Sequence, residues 1–132
     1  MEKGIISHIE IYVSDLKTST KFWSWFLAEL GYTKFQEWNK GISWKKDDTY
    51  IVLVQTKEKY KDIQYHRCRT GLNHIAFYVS SRDEIDYFTK ELINRGINIL
   101  YKDRHPYASG KNCYAVFFED PDRIKIELVA PE

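Results

Sequence analysis

Apolar side chains recur at every second position through His8-Ile9-Glu10-Ile11-Tyr12-Val13, the period of a strand with one buried face. Ile9, Ile11 and Val13 make the apolar face and turn His8, Glu10 and Tyr12 to the other side. The period then changes. Phe22, Phe26 and Leu30 recur every four residues, with Trp23 and Leu27 beside them, which predicts an amphipathic helix. Gly31 stands where a left-handed helix stop belongs. Three short strand-like runs follow, roughly 33–37, 41–45 and 50–55, with Lys46-Asp47-Asp48 turning the last pair.

The same order then repeats. His74-Ile75-Ala76-Phe77-Tyr78-Val79 shares four of its six residues with the segment that starts 66 positions earlier. A second helix follows, with Ser81 and Glu84 at capping-box spacing, Ile85, Phe88 and Leu92 as its stripe and Gly96 as its stop. Strand-like runs near 98–102, 114–119 and 124–129 complete the copy, the last two joined by the turn Asp120-Pro121-Asp122-Arg123. Residues 103–112 exceed the matching segment of the first copy and are expected to form a loop on the pocket side. Each half therefore reads βαβββ, over residues 4–65 and 70–131. Neither half has enough core to stand alone, so a single α+β domain over 1–132 is expected.

Strand alternation assigns faces to the chemistry. His8, Glu10 and Tyr12 share one face of the first strand, and His74, Ala76 and Tyr78 share one face of its counterpart. In the last strand Glu127 lies with Lys125 and Val129, opposite Ile126 and Leu128. Two imidazoles and a carboxylate thus arrive from three strands on the polar side of the sheet. Such a donor set suits zinc, iron(II), manganese or nickel and leaves coordination positions open for water or substrate. The residues alone leave open a second reading, in which each histidine is an ordinary strand or turn residue.

Composition narrows the picture without deciding it. Twenty basic and 19 acidic side chains leave a net charge of +1, and no basic face or tail is evident, so nucleic acid is not expected as a partner. Cys68 and Cys113 have no paired spacing and read as reduced thiols. The first residues, MEKGIISHIE, contain no apolar run of signal-peptide length. No stretch approaches the roughly 18 apolar residues of a membrane span, which makes the cytoplasm the expected compartment and a membrane an unexpected partner.

The segments GIISHIEIYVSDL, GLNHIAFYVSS and YAVFFEDPDRIKIELVAPE resemble the vicinal oxygen chelate superfamily, which includes glyoxalase I, fosfomycin-resistance enzymes, extradiol dioxygenases and bleomycin-binding proteins. The likeness covers nearly all of the chain, and FEDPDRIKIEL is its most specific part. It implies two βαβββ modules in a partly closed, barrel-like mixed sheet around a divalent metal, with His8, His74 and Glu127 at ligand positions. It also implies a small-molecule substrate and allows a homodimer, in some members one that completes the site across subunits.

The departures matter as much. Where glyoxalase I has a glutamate ligand at the end of its first module, this chain aligns Val52, which can neither bind metal nor move a proton. Glu10 is the candidate to replace it, since it points to the same side as His8. The ring-cleaving signature has a tyrosine and a glycine where Phe117 and Arg123 stand. Further candidates are Glu127 and His66 as catalytic groups, His66 because the linker should pass the mouth of the barrel. Tyr12, Tyr78, Arg67, His105 and Tyr114 are candidates for lining the substrate pocket. Two function classes follow: a metal-dependent lyase, isomerase, dioxygenase or thiol-transfer enzyme, and a drug-binding protein that keeps the fold without chemistry. A sensor or assembly subunit is a third, with Trp25, off the main helix stripe, as its one pointer.

Overall fold

The computed structural model describes all residues, 1–132. It divides into two compact units, Met1–Gln64 and Tyr65–Glu132. The first holds β1 (His8–Val13), α1 (Leu16–Glu29), β2 (Thr33–Trp38), β3 (Gly41–Lys46) and β4 (Thr49–Gln55), followed by a one-turn 3₁₀ helix at Glu58–Tyr60. The second holds β5 (Ile75–Tyr78), α2 (Arg82–Asn94), β6 (Ile99–Leu100), β7 (Ala115–Glu119) and β8 (Lys125–Val129). Each unit carries one four-stranded mixed sheet, ordered β1-β4-β3-β2 and β5-β8-β7-β6. The first and last strands of each unit pair in parallel and the other neighbours antiparallel. The architecture is therefore the repeated βαβββ, α+β arrangement expected from the sequence. No helix is long and apolar enough to cross a membrane.

Both helices end in the same way. Gly31 and Gly96 take φ values of 90° and 73°, where a side chain is disfavoured. Beyond them the Tyr32 amide donates to the Leu27 carbonyl and the Ile97 amide to that of Leu92, each at 2.9 Å. This six-to-one bond satisfies an orphan carbonyl at each helix end. At the start of α2 the Ser81 hydroxyl accepts from the Glu84 amide, while the Glu84 carboxylate accepts from the amide and hydroxyl of Ser80. The reciprocal arm of the capping box thus lands one residue earlier than its spacing implied.

The strand faces divide as the alternation predicts. In the first unit Ile11, Val13, Ile42, Trp44, Ile51 and Leu53 are buried with Phe22, Trp23, Phe26 and Leu27 of α1. In the second, Ile126, Leu128, Val116 and Phe118 are buried with Ile85, Phe88 and Leu92 of α2. Trp44 is thereby core, and Trp25 lies against Phe22 and Phe26 along its own helix. One predicted strand is much shorter than its hydrophobic run. β6 stops at Leu100 because Tyr101 turns to φ 57° and its carbonyl accepts the amides of Arg104 and His105, folding the chain away from the sheet.

Gly41 marks the tightest spot in the first sheet. A Cβ there would come within 2.3 Å of the Trp38 ring and 2.8 Å of the Leu53 carbonyl oxygen, a backbone atom that cannot step aside. Gly41→Ala is expected to destabilise the protein by about 2 kcal/mol, the usual scale of overpacking. Urea unfolding would check this, and a midpoint within error of the unaltered protein would show that strand β3 absorbs the methyl group.

Candidate functional site

Each unit presents its histidine by the same device. The Nδ1 of His8 meets the hydroxyl of Ser7 at 3.0 Å, and that of His74 meets the side-chain oxygen of Asn73 at 2.7 Å. In both copies the preceding residue fixes the ring and leaves Nε2 as the presented atom, the orientation in which metal-binding imidazoles are commonly held. An aromatic ring supports each from a neighbouring strand. His8 stacks on Tyr50 of β4 at 4.5 Å, and His74 meets the edge of Phe117 of β7 at 5.9 Å.

In the second unit the presented nitrogen faces a carboxylate. His74 Nε2 stands 3.1 Å from Oε1 of Glu127, a buried residue of β8. The other Glu127 oxygen accepts a long bond, 3.4 Å, from the hydroxyl of Ser109. No lysine or arginine lies within ion-pairing reach of this carboxylate. If Asn73 accepts the Nδ1 proton, a neutral His74 turns a lone pair toward the carboxylate, and two electron-rich atoms face each other. Only a cation between them, a proton or a metal, makes that arrangement favourable. Two donors bound at about 2.1 Å to one ion stand about 3 Å apart, so the pair fits adjacent ligands of a divalent metal. His8 belongs to the other unit, and no group of three or more His, Cys, Asp or Glu able to hold one ion is formed in this structure.

The first unit has no carboxylate on its last strand, but it has one a strand away. Register pairs Glu10 of β1 with Val52 of β4, as it pairs Ala76 of β5 with Glu127 of β8. Each unit therefore carries one carboxylate on the matching pair of strands, on β1 in the first and on β8 in the second. Glu10 and Tyr12 are exposed, as are Ala76 and Tyr78 on the equivalent strand. Trp38, on the same face of the first sheet, lies over Gly41.

The remaining candidates go to different places. Arg67 donates to Glu119 of β7 at 2.6 Å, and Arg123 and Asn98 donate to the same carboxylate. Arg67 is thus tied into an ion pair. His66 accepts the Cys68 amide on its Nδ1 and lies exposed in the linker. Tyr114 points to the helix side of its sheet, where its hydroxyl donates to Asp86 of α2 at 2.6 Å and Arg82 covers its ring. The Asp86 hydrogen bond, with burial second, pushes the Tyr114 phenol up to about 12. His105, half-buried beside the same aspartate, is held below its ordinary value by burial, against the pull of Asp86. Ser109 escapes sequence reasoning, since a loop serine has no periodicity; only the expected pocket-side position of residues 103–112 pointed toward it.

The sequence profile of the Glyoxalase/Bleomycin resistance protein/Dioxygenase superfamily matches residues 5–128. YqjT of Bacillus subtilis (strain 168), an uncharacterized protein, is 59% identical over 124 residues, which are 94% of this chain and 97% of that protein. FosA of Serratia marcescens, named a glutathione transferase, is 28% identical over 93% of this chain and 78% of its own length. A crystal structure from Bacillus halodurans, provisionally assigned as a glyoxalase, matches with a TM-score of 0.96 and 52% identity over 98% of this chain and 97% of that one.

The Glu119 cluster sets a pH dependence. Burial alone would push this carboxyl up, but the bonds from Asn98, Arg67 and Arg123 outweigh burial and hold it below the usual range. A group depressed in the folded state contributes stability above its unfolded value, near 4.5, and loses it as pH falls through the folded value. Glu119→Gln is therefore expected to cost about 2 kcal/mol at pH 7, with the gap to the unaltered protein narrowing below pH 4.5. A gap that stays constant from pH 7 to pH 3 in denaturant titrations would contradict this account.

Proposed function

The chain belongs to the glyoxalase/bleomycin resistance protein/dioxygenase superfamily, and from that membership we propose that it is a divalent-metal-dependent enzyme acting on a small oxygen-bearing substrate. In this reading His8, His74 and Glu127 are the metal ligands. The observation that carries it is the repeated presentation of Nε2 by Ser7 and Asn73, with one such nitrogen 3.1 Å from a buried carboxylate. A histidine kept for packing has no need of the same orienting contact in both copies.

A divalent ion bound there supplies Lewis acidity toward vicinal oxygens of the substrate. The chain's own groups do the rest. Asn73 holds the His74 ring in place, and Ser109 steadies the second oxygen of Glu127. Glu10, beside Val52 and on the same face as His8, is the group placed to take or return a proton, the work that a first-module carboxylate does in glyoxalase chemistry. Phe117 offers no proton where the ring-cleaving signature has a tyrosine, so it serves as an apolar wall against His74. The similarity to FosA makes thiol transfer a reaction class to assay beside these.

A second copy of the chain is part of this reading. Tyr12 is 60% exposed, Tyr78 79%, and Phe35 and Trp38 43% each. Bare aromatic surface of this extent on the strand faces that carry the candidate ligands is what a subunit interface would cover.

Elemental analysis of the purified protein separates enzyme from binder. About one zinc, nickel, manganese or iron per site is expected, with at least tenfold less in His74→Ala and in Glu127→Gln. Equal metal in His74→Ala would overturn the ligand assignment. No uptake of any of the four metals supplied in excess would favour the non-catalytic, drug-binding alternative. With methylglyoxal hemithioacetal, catechols and epoxides plus thiols as the panel, Glu10→Gln is expected to lower turnover about 100-fold or more while metal content holds. Unchanged turnover would remove Glu10 from the mechanism.

A further inference from the structure

Lys125 stands two residues before Glu127 on β8, on the same face of the sheet, and its ammonium is unusually placed. Acidic side chains lie on either side of it. Glu119 is its cross-strand partner on β7, and Glu127 is its neighbour along the strand. Neither pairs with it. The oxygens of Glu119 are taken by Asn98, Arg67 and Arg123, and those of Glu127 by His74 and Ser109. Lys125 is half-buried as a residue, and its ammonium donates instead to the hydroxyl of Tyr101 at 3.0 Å and lies over the rings of Tyr101 and Phe117, 5.3 and 5.6 Å from their centroids. Phe117 is also the ring that His74 abuts, so the imidazole and the ammonium border one side chain.

Tyr101 reaches this position by adopting a backbone conformation that aromatic residues avoid, φ 57°. That turn ends β6 and lays the ring against both Lys125 and Phe117, while Arg104, three residues on in the same turn, covers it at 4.9 Å. Arg104 also forms no ion pair. A strained backbone, a hydroxyl and a cation without an ion-pair partner thus converge beside the His74–Glu127 pair. An ammonium and a hydroxyl set side by side in this way are two donors that one oxyanion could engage together.

We propose that Lys125 and the Tyr101 hydroxyl form an oxyanion subsite, so that the substrate carries a carboxylate, phosphonate or phosphate group beside the atoms that meet the metal. This rests on the reading of His74 and Glu127 as metal ligands for its place in catalysis, but the subsite itself is made only of residues in the second unit. The ammonium and the phenol hydroxyl each donate one charge-assisted hydrogen bond to the anion. The subsite discriminates by charge, since an uncharged analogue leaves the ammonium unanswered.

Isothermal titration of inorganic phosphate and methylphosphonate into the metal-loaded and chelated protein tests this, with metal content and thermal unfolding recorded for each variant. Lys125→Gln is expected to weaken both anions about tenfold or more, Tyr101→Phe about threefold, and Lys125→Arg little. Lys90→Gln, on the exposed side of α2, is the charge control and is expected to change nothing. Equal anion affinity in Lys125→Gln and the unaltered protein overturns the subsite, as does an equal loss in Lys90→Gln. Affinity that vanishes on chelation yet ignores Lys125→Gln also overturns it, since the anion then sits on the metal alone. Metal content reports on the ligand assignment separately, so failure of one reading is not mistaken for failure of the other.

Discussion

A buried carboxylate facing an imidazole nitrogen at 3.1 Å, with no lysine or arginine to neutralise it, is the constraint around which the second unit is arranged. Burial leaves Glu127 dependent on the few polar groups around it. The surrounding groups answer this in an ordered way: Asn73 sets the ring, Phe117 supports it and Ser109 touches the remaining oxygen. The first unit repeats the histidine with its own orienting hydroxyl and aromatic partner, and moves its carboxylate to Glu10 on β1. Two copies of one module thus carry related donors in the same register row but on different strands.

Most of the fold was legible because its determinants are local. The alternation in HIEIYV and HIAFYV, the four-residue stripes of both helices and the glycines at 31 and 96 each act within a few residues of themselves, and each appears where expected. The exception, the truncated β6, turns on Tyr101, whose left-handed backbone has no mark in its residue type. Glycine or asparagine would have signalled it; tyrosine does not.

The site was legible only in part, and for a different reason. Alternation says which face of a strand a side chain takes, and so it gathered His74 with the face of Glu127. It says nothing about partners from other segments. Arg67 was a free cation on paper and is bound to Glu119 in the fold, while Lys125 was a strand residue on paper and holds a hydroxyl and no carboxylate. Tyr114 falls on the helix side by the same alternation that places Phe117 on the other, and Asp86 then holds it there. Loop residues such as Ser109 carry no period at all.

The claim at the centre is that imidazole nitrogen and the Glu127 carboxylate share one divalent ion. Electron spin echo modulation of the manganese(II)-loaded protein reads that directly. Nitrogen modulation from directly bound imidazole is expected, reduced when His74 is replaced by alanine and reduced again when His8 is. A manganese signal without nitrogen coupling, or one indifferent to both replacements, would contradict it.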